Sequence, residues 1–132
     1  MGVWAAGSFE SDTALDWLGQ VYESRDFSLV RTALSGDFAT VEIYVARKAV
    51  AAADLVACSR GFPPPEPKRK GLVDWTREHS SKFTPDLLEL ARGAVATIKT
   101  NSQLRDSWKD HEGVVQAEWL DSISDLERRL QS

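Results

Sequence analysis

The sequence predicts an all-α fold: a single-domain helical bundle of about six or seven helices around a central apolar helix, with an irregular N-terminal arm. Three observations predict it. Within residues 41–58, the run from 50 to 58 contains Asp54 as its one polar residue, and a helix apolar on nearly every side must be enclosed by other elements. Other segments carry an apolar stripe on one side at helical spacing, and none shows sustained period-two alternation.

Length and charge set the class of protein. A chain of 132 residues suggests one domain, residues 1–132. The net charge of −4 argues against nonspecific nucleic-acid binding, which needs a basic surface. No apolar run approaches the roughly 20 residues that span a bilayer. The single cysteine, Cys58, lies in the apolar run and fits a reducing compartment. We therefore expect a cytoplasmic protein with neither nucleic-acid nor membrane partners.

The N-terminal elements begin with an arm. The first ten residues are too short and irregular for an amphipathic helix, and we expect them to insert Trp4 and Phe9 into the core. Ser11 or Asp12 then caps a helix that runs to about Ser24. Its apolar face is formed by Ala14, Trp17, Leu18, Val21 and Tyr22.

The middle of the chain contains two predicted helices. Asp26 caps a short helix over residues 27–34. The central helix follows, with Asp37 and Thr40 as alternative caps at its start. Gly61 ends it, because glycine is favoured just after a helix.

The second half starts with a connector, residues 62–71, in which four prolines exclude a helix. A short helix is predicted over residues 72–79. Thr84 provides a capping hydroxyl and Pro85 a first helical position for a helix that runs to about Thr100. Its apolar face contains Leu87, Leu90, Ala91, Ala94, Val95 and Ile98.

Two further helices complete the predicted bundle. One is short, from a Ser102 cap through Trp108, and the last runs over residues 114–130. The face that the last helix buries contains Val115, Trp119, Ile123, Leu126 and Leu130. Asp125 and Arg129, four residues apart, are predicted to pair on its surface.

No catalytic, metal or cofactor motif stands out in this sequence. The two histidines, His79 and His111, lie in polar stretches and are interpreted as surface residues. No Cys/His spacing typical of zinc is present, and no glycine-rich loop follows a strand. We therefore predict no cofactor, no metal site and no catalytic residue.

Three carboxylates are the candidates for chemistry. Asp12 and Asp16 lie one turn apart on an exposed helix face, where a cap and a solvated surface are favoured over a cation site. Asp54 is different, because an acid in an apolar run costs free energy unless it is paired. It is either a catalytic group with a raised pKa or a structural anchor, and the anchor is favoured. Its partner must come from another segment, such as the amides of residues 2–9 or an indole NH.

The N-terminal run resembles the opening of a bacterial family known as domain of unknown function 4259. Members tend to begin with Trp-Gly-x-Gly-x-Phe, followed by an Asn-Asp pair and Ala-x-Asp-Trp. The matching residues here are Trp4, Gly7, Phe9, Asp12, Ala14, Asp16 and Trp17, whereas Ala5 and Ser11 depart from the pattern. The alanine-rich helix around Asp54 and the spacing of Leu104 and Trp108 are similar too. The resemblance implies a small helical bacterial protein and no reaction.

These observations leave three hypotheses about function. The first is a non-enzymatic protein-interaction domain, for example an immunity protein that neutralises a basic toxin. The second is an enzyme or small-ligand-binding protein that uses carboxylates near the N-terminal arm. The third is a structural role without a partner. The candidate binding residues are Trp4, Gly7, Phe9, Asp12, Asp16, Trp17 and Asp54.

Overall fold

The computed structural model describes residues 8–9, 11–36, 38, 42–63, 70–100 and 113–131. Within these ranges the chain forms helices and no strand, which confirms the all-α prediction. The α-helices are α1 (Asp12–Glu23), α2 (Ser28–Leu34), α3 (Ile43–Ser59), α4 (Lys70–Glu78), α5 (Asp86–Thr100) and α6 (Gly113–Gln131), with a 3-10 turn at Ser80–Lys82. The predicted arm up to residue 7 and the predicted helix from Ser102 to Trp108 lie outside the described residues.

Helix α3 is the centre of the bundle, as its apolar run predicts. It contacts α1, α2, α4, α5 and α6. Every side chain from Ala49 to Cys58 is buried, Asp54 included. Because alanine occupies many of these positions, surrounding helices can approach α3 from several directions. Helix α5 packs against α3 and also contacts α2 and α6, so the largest part of the core lies between α3 and α5.

Side-chain hydrogen bonds stabilise the starts of the first two helices. Ser11 precedes α1, and its Oγ accepts a hydrogen bond from the Ala14 amide at 3.1 Å. Asp26 lies before α2, and its Oδ1 accepts from the Ser28 amide at 3.0 Å and from the Ser28 hydroxyl at 2.7 Å. The Ser11 cap agrees with the sequence prediction, whereas at α2 the capping position belongs to Phe27, without a side-chain cap bond, and Asp26 lies one residue before it. Both side chains satisfy amides that a helix start leaves without partners.

The end of α3 is a glycine-terminated turn. Gly61 has φ +94°, a conformation that favours glycine. Its amide donates to the Cys58 carbonyl at 3.0 Å, and the Phe62 amide donates to the Ala57 carbonyl at 2.9 Å. This pair of bonds is the Schellman arrangement, and it ends the helix where the sequence predicts. At the other end Glu42 is the capping residue, without a side-chain cap bond, whereas Asp37 and Thr40 lie outside the described residues.

Several helix boundaries differ from the sequence prediction by one or two residues. Helix α4 begins at Lys70, so the last two residues of the predicted connector 62–71 are helical. Helix α5 begins at Asp86, one residue after Pro85. The Thr84 hydroxyl donates to the Asp86 carboxylate instead of capping a backbone amide, and it also accepts from Arg31 of α2. The start of α5 is therefore fixed in part by a side-chain contact between helices.

The predicted apolar faces are mostly buried. On α1 the exception is Tyr22, which is 40% exposed. On α5 it is Leu90, which is partly buried against the core. On α6 the described face residues Trp119, Ile123, Leu126 and Leu130 are all buried, and the side chain of Val115 lies outside the described residues.

Candidate functional site

Asp54 and Arg129 form a buried ion pair between the central helix and the last helix. Arg129 Nη1 donates to Asp54 Oδ1 at 2.6 Å, and Nη2 donates to Oδ2 at 3.0 Å. The Asp54 side chain is 1% exposed and that of Arg129 is 13% exposed. A guanidinium that binds both carboxylate oxygens in this way gives a strong, geometrically specific contact. The pair therefore anchors α6 to α3.

Arg129 is the centre of a wider polar cluster. Its Nε donates to Asp125 Oδ2 at 2.9 Å, and Nη1 also donates to the Phe62 carbonyl at 3.1 Å. Burial lowers the pKa of Arg129, but the hydrogen bond and charge of Asp54, aided by Asp125, outweigh burial and raise that pKa above its ordinary value. For Asp125, burial raises the pKa, and the hydrogen bonds from Arg129 and Arg128 bring it below the usual range. Both groups are therefore held in their charged forms.

The anchor interpretation of Asp54 agrees with this geometry, with a partner that the sequence argument does not name. Its burial and hydrogen bonding are as predicted. The predicted surface pair of Asp125 and Arg129 also forms, but the Arg129 guanidinium turns inward toward Asp54. A guanidinium was not among the expected partners because Arg129 has an adequate partner one turn away in its own helix.

The other candidate residues lie apart from this pair. Phe9 and Trp17 are core residues, at 3% and 4% exposure. Asp12 and Asp16 are exposed on α1, so an accessible site does not unite them with buried Asp54. Trp4 and Gly7 lie outside the described residues.

His79 is not the exposed residue that the sequence predicts. Its side chain is 17% exposed and its ring stacks on the Trp75 indole, with centroids 4.5 Å apart. Its Nδ1 lies 2.9 Å from the Trp75 carbonyl oxygen. Because a carbonyl only accepts, Nδ1 carries the proton in this contact. The ring is thus held as part of the aromatic packing at the end of α4. His111 lies outside the described residues.

A surface at the start of α3 combines exposed apolar side chains with cations. Tyr44 is 59% exposed and Val45 is 40% exposed. Arg47 places its guanidinium carbon 5.8 Å from the Tyr44 ring centroid, and Lys48, four residues after Tyr44, is exposed. We call Tyr44, Val45, Arg47 and Lys48 the α3 surface. The apolar run of the central segment predicts an enclosed helix and so does not predict this exposed surface.

A groove of about 340 Å³ lies between the end of α2 and the middle of α5. Its lining includes Leu34, Gly36, Phe38, Leu90, Gly93 and Ala94. The carboxylate at its edge is Glu89, which pairs with Arg92 at 3.1 Å. The groove therefore does not contain the carboxylates that the sequence suggested.

Two kinds of feature are absent from the described ranges: a metal-binding cluster and a membrane-spanning helix. There, no three or more His, Cys, Asp and Glu side chains are grouped so as to hold a metal ion. Nor does any helix in those ranges have the length and hydropathy needed to cross a membrane.

Comparison with known protein families identifies the family of this chain. The model of a family described as "Domain of unknown function (DUF4259)" matches residues 2–122 of the chain. No curated protein and no solved structure matches it.

Proposed function

The chain belongs to the DUF4259 family, and on that premise we propose that it is a non-enzymatic protein-interaction domain of the bacterial cytoplasm that binds a protein partner through the α3 surface. The observation that carries the proposal is the exposure of Tyr44, at 59%, beside Val45, at 40%. Tyrosine and arginine are enriched among residues that dominate binding energy at interfaces. On the α3 surface, the tyrosine Tyr44 and the arginine Arg47 lie next to each other.

The position of these side chains also favours binding. The α3 surface belongs to the same helix whose later turns are buried in the core. A contact residue on such a helix is already ordered before the partner arrives, so association costs less conformational entropy than with a flexible loop. A rigid helix start with exposed aromatic and aliphatic groups is therefore a suitable docking surface.

The specific form that we propose is an immunity protein that neutralises a toxin. The net charge of −4 supports association with a basic toxin, because opposite overall charges accelerate encounter. In this role the protein blocks its partner by covering it and needs no catalytic group.

The proposal is tested by co-expressing the chain with toxin domains encoded beside its gene and measuring growth and co-purification. We expect protection by the wild type and loss of protection by Tyr44→Ala. Tyr22→Ala is the matched control, because it removes another exposed tyrosine, which lies at the end of α1 beside Gly71 of α4. Full toxicity with excess folded wild type would reject the immunity role. Partner binding that is equal for wild type and Tyr44→Ala would reject the α3 surface.

A further inference from the structure

The cations of the α3 surface stand beside exposed apolar side chains and have no carboxylate partner among the described residues. Several other cations are paired: Arg31 with Asp86, Arg92 with Glu89, Lys99 with Glu127, Arg128 with Asp125, and Arg129 with both Asp54 and Asp125. Exposed Arg25, Arg77 and Lys82 are without such a pair in the described ranges, so the α3 surface is distinguished by two adjacent cations next to Tyr44 and Val45. Within the described part of the chain, neither Arg47 nor Lys48 forms an ion pair with a carboxylate. Helix α3 thus presents two adjacent positive charges that no carboxylate of the described residues pairs with.

Arg47 is already partly removed from water. Its side chain is half-buried, and its guanidinium carbon lies 5.8 Å from the ring centroid of Tyr44. Burial lowers the pKa of Arg47 below its ordinary value, and the proximity of Tyr44 offsets part of that shift. A partly desolvated guanidinium gains more from an incoming carboxylate than a fully hydrated one, because part of the cost of removing water has been met.

The apolar half of the surface restricts the shape of the partner. Tyr44 and Val45 are consecutive, and Arg47 and Lys48 follow within one helical turn. A ligand that covers all four must therefore present an apolar side chain within a few ångströms of an acidic one. Alternating or closely spaced acidic and apolar residues in a protein segment satisfy this requirement.

We propose that the α3 surface binds an acidic segment of a partner protein, with a carboxylate on Arg47 and an apolar side chain against Tyr44 and Val45. The proposal rests on the proposed function, since it names the chemistry of the partner at the same surface. It goes beyond overall charge, which indicates a basic partner: the local contact is with acidic groups.

The decisive experiment reverses charge on the α3 surface while the partner stays the same. Arg47→Glu should lower the affinity for the co-purified partner by about tenfold or more, because attraction becomes repulsion. Arg47→Met, which keeps the apolar part of the side chain, should lower that affinity less. Arg77→Glu is the control: Arg77 is exposed on α4, which contacts the far end of α3 where Cys58 lies 3.7 Å from Thr76. Circular dichroism confirms that each variant is folded.

The outcomes separate this inference from the proposed function. If Tyr44→Ala abolishes binding but Arg47→Glu leaves affinity unchanged or increases it, the interaction domain stands and the acidic partner is refuted. If Tyr44→Ala has no effect on partner binding, the α3 surface itself is refuted.

A second measurement needs no natural partner. A short synthetic peptide of glutamate and leucine is titrated into the isotope-labelled full chain, alongside the same peptide with glutamine for glutamate. We expect only the acidic peptide to shift the amide signals of residues 44–48, and we expect Arg47→Met to weaken that shift. Equal shifts with both peptides, shifts confined to another surface, or stronger effects from phosphatidylserine vesicles or single-stranded RNA would overturn the proposal.

Discussion

Replacing Asp54 by alanine tests the buried ion pair most directly. Removal of one partner from a buried pair typically costs about 3–5 kcal/mol, because the remaining charge is left uncompensated. Here the remaining charge is Arg129, which is 13% exposed and keeps Asp125 at 2.9 Å and the Phe62 carbonyl at 3.1 Å. These contacts place the expected loss for Asp54→Ala near the lower limit, at about 3 kcal/mol. The sequence alone suggests about 1–3 kcal/mol, the cost of unsatisfied neutral donors.

Replacing the other partner of the ion pair, Arg129, should cost more free energy of unfolding. Arg129→Met leaves the Asp54 carboxylate with 1% exposure and removes both guanidinium donors that bind it. We expect a loss near the upper limit, about 5 kcal/mol. Combining Arg129→Met with Asp54→Ala should cost less than the sum of the two single variants, because the second change removes a group that the first has already isolated.

Equilibrium denaturation by urea at neutral pH measures these free energies of unfolding. Asp125→Ala is the matched control: it removes the other carboxylate bound to Arg129, but its side chain is 31% exposed, and we expect a loss below about 1 kcal/mol. The reasoning is refuted if Asp54→Ala stays within about half a kcal/mol of wild type, a change typical of ordinary surface substitutions. Strict additivity of the double variant would likewise show that the two groups do not act as a pair.

Three further predictions follow from local geometry. The hydrogen bond from Arg31 lowers the pKa of Asp86 from 3.8 to about 2. The stabilisation by this carboxylate is therefore complete above about pH 4 and is lost as pH falls through 2. Arg31→Met should return the pKa of Asp86 toward 3.8 in a carboxyl-carbon NMR titration. Gly61→Ala should destabilise the protein by about 1 kcal/mol, because Gly61 has φ +94°. Gly93→Ala should stabilise it by about 0.5–1 kcal/mol, because Gly93 lies in the interior of α5 with open space for a methyl group. Opposite shifts of the urea midpoint check both predictions. Burial raises the pKa of the Cys58 thiol, so it should react with a thiol reagent far more slowly in the folded protein than in denaturant, and equal rates would contradict its burial.

The sequence predicts the fold well because the signals are local. A run of small apolar residues requires enclosure. Ser11 and Asp26 accept hydrogen bonds from amides at helix starts, and Gly61 ends a helix, in each case through bonds to residues within a few positions. Such contacts can be inferred from spacing alone. The burial of Asp54 follows from the same reasoning, since no rotation of its helix turns it away from apolar neighbours.

The partner of Asp54 could not be predicted, because it lies 75 positions away in sequence. Arg129 forms a regular i,i+4 pair with Asp125, and nothing in that local pattern shows that the guanidinium also reaches another helix. The α3 surface was missed for a different reason. Averaging over the central segment hid the change from charged residues at positions 42, 47 and 48 to the following turns, in which Asp54 is the one polar residue up to Cys58. This change is the signal that one face of the first turns is exposed.

Overall charge and local charge act on different steps of the proposed interaction. At physiological ionic strength, charges are screened over about 8 Å, so the net charge of −4 influences approach and the α3 surface influences the docked complex. In the proposed complex, a basic toxin would be attracted at a distance, while an acidic segment within it would pair with Arg47 on contact. The two effects have separate kinetic signatures: added salt should mainly slow association, and Arg47→Glu should mainly accelerate dissociation. A variant that slowed association alone would show that Arg47 contributes to the general field of the protein and makes no contact in the complex.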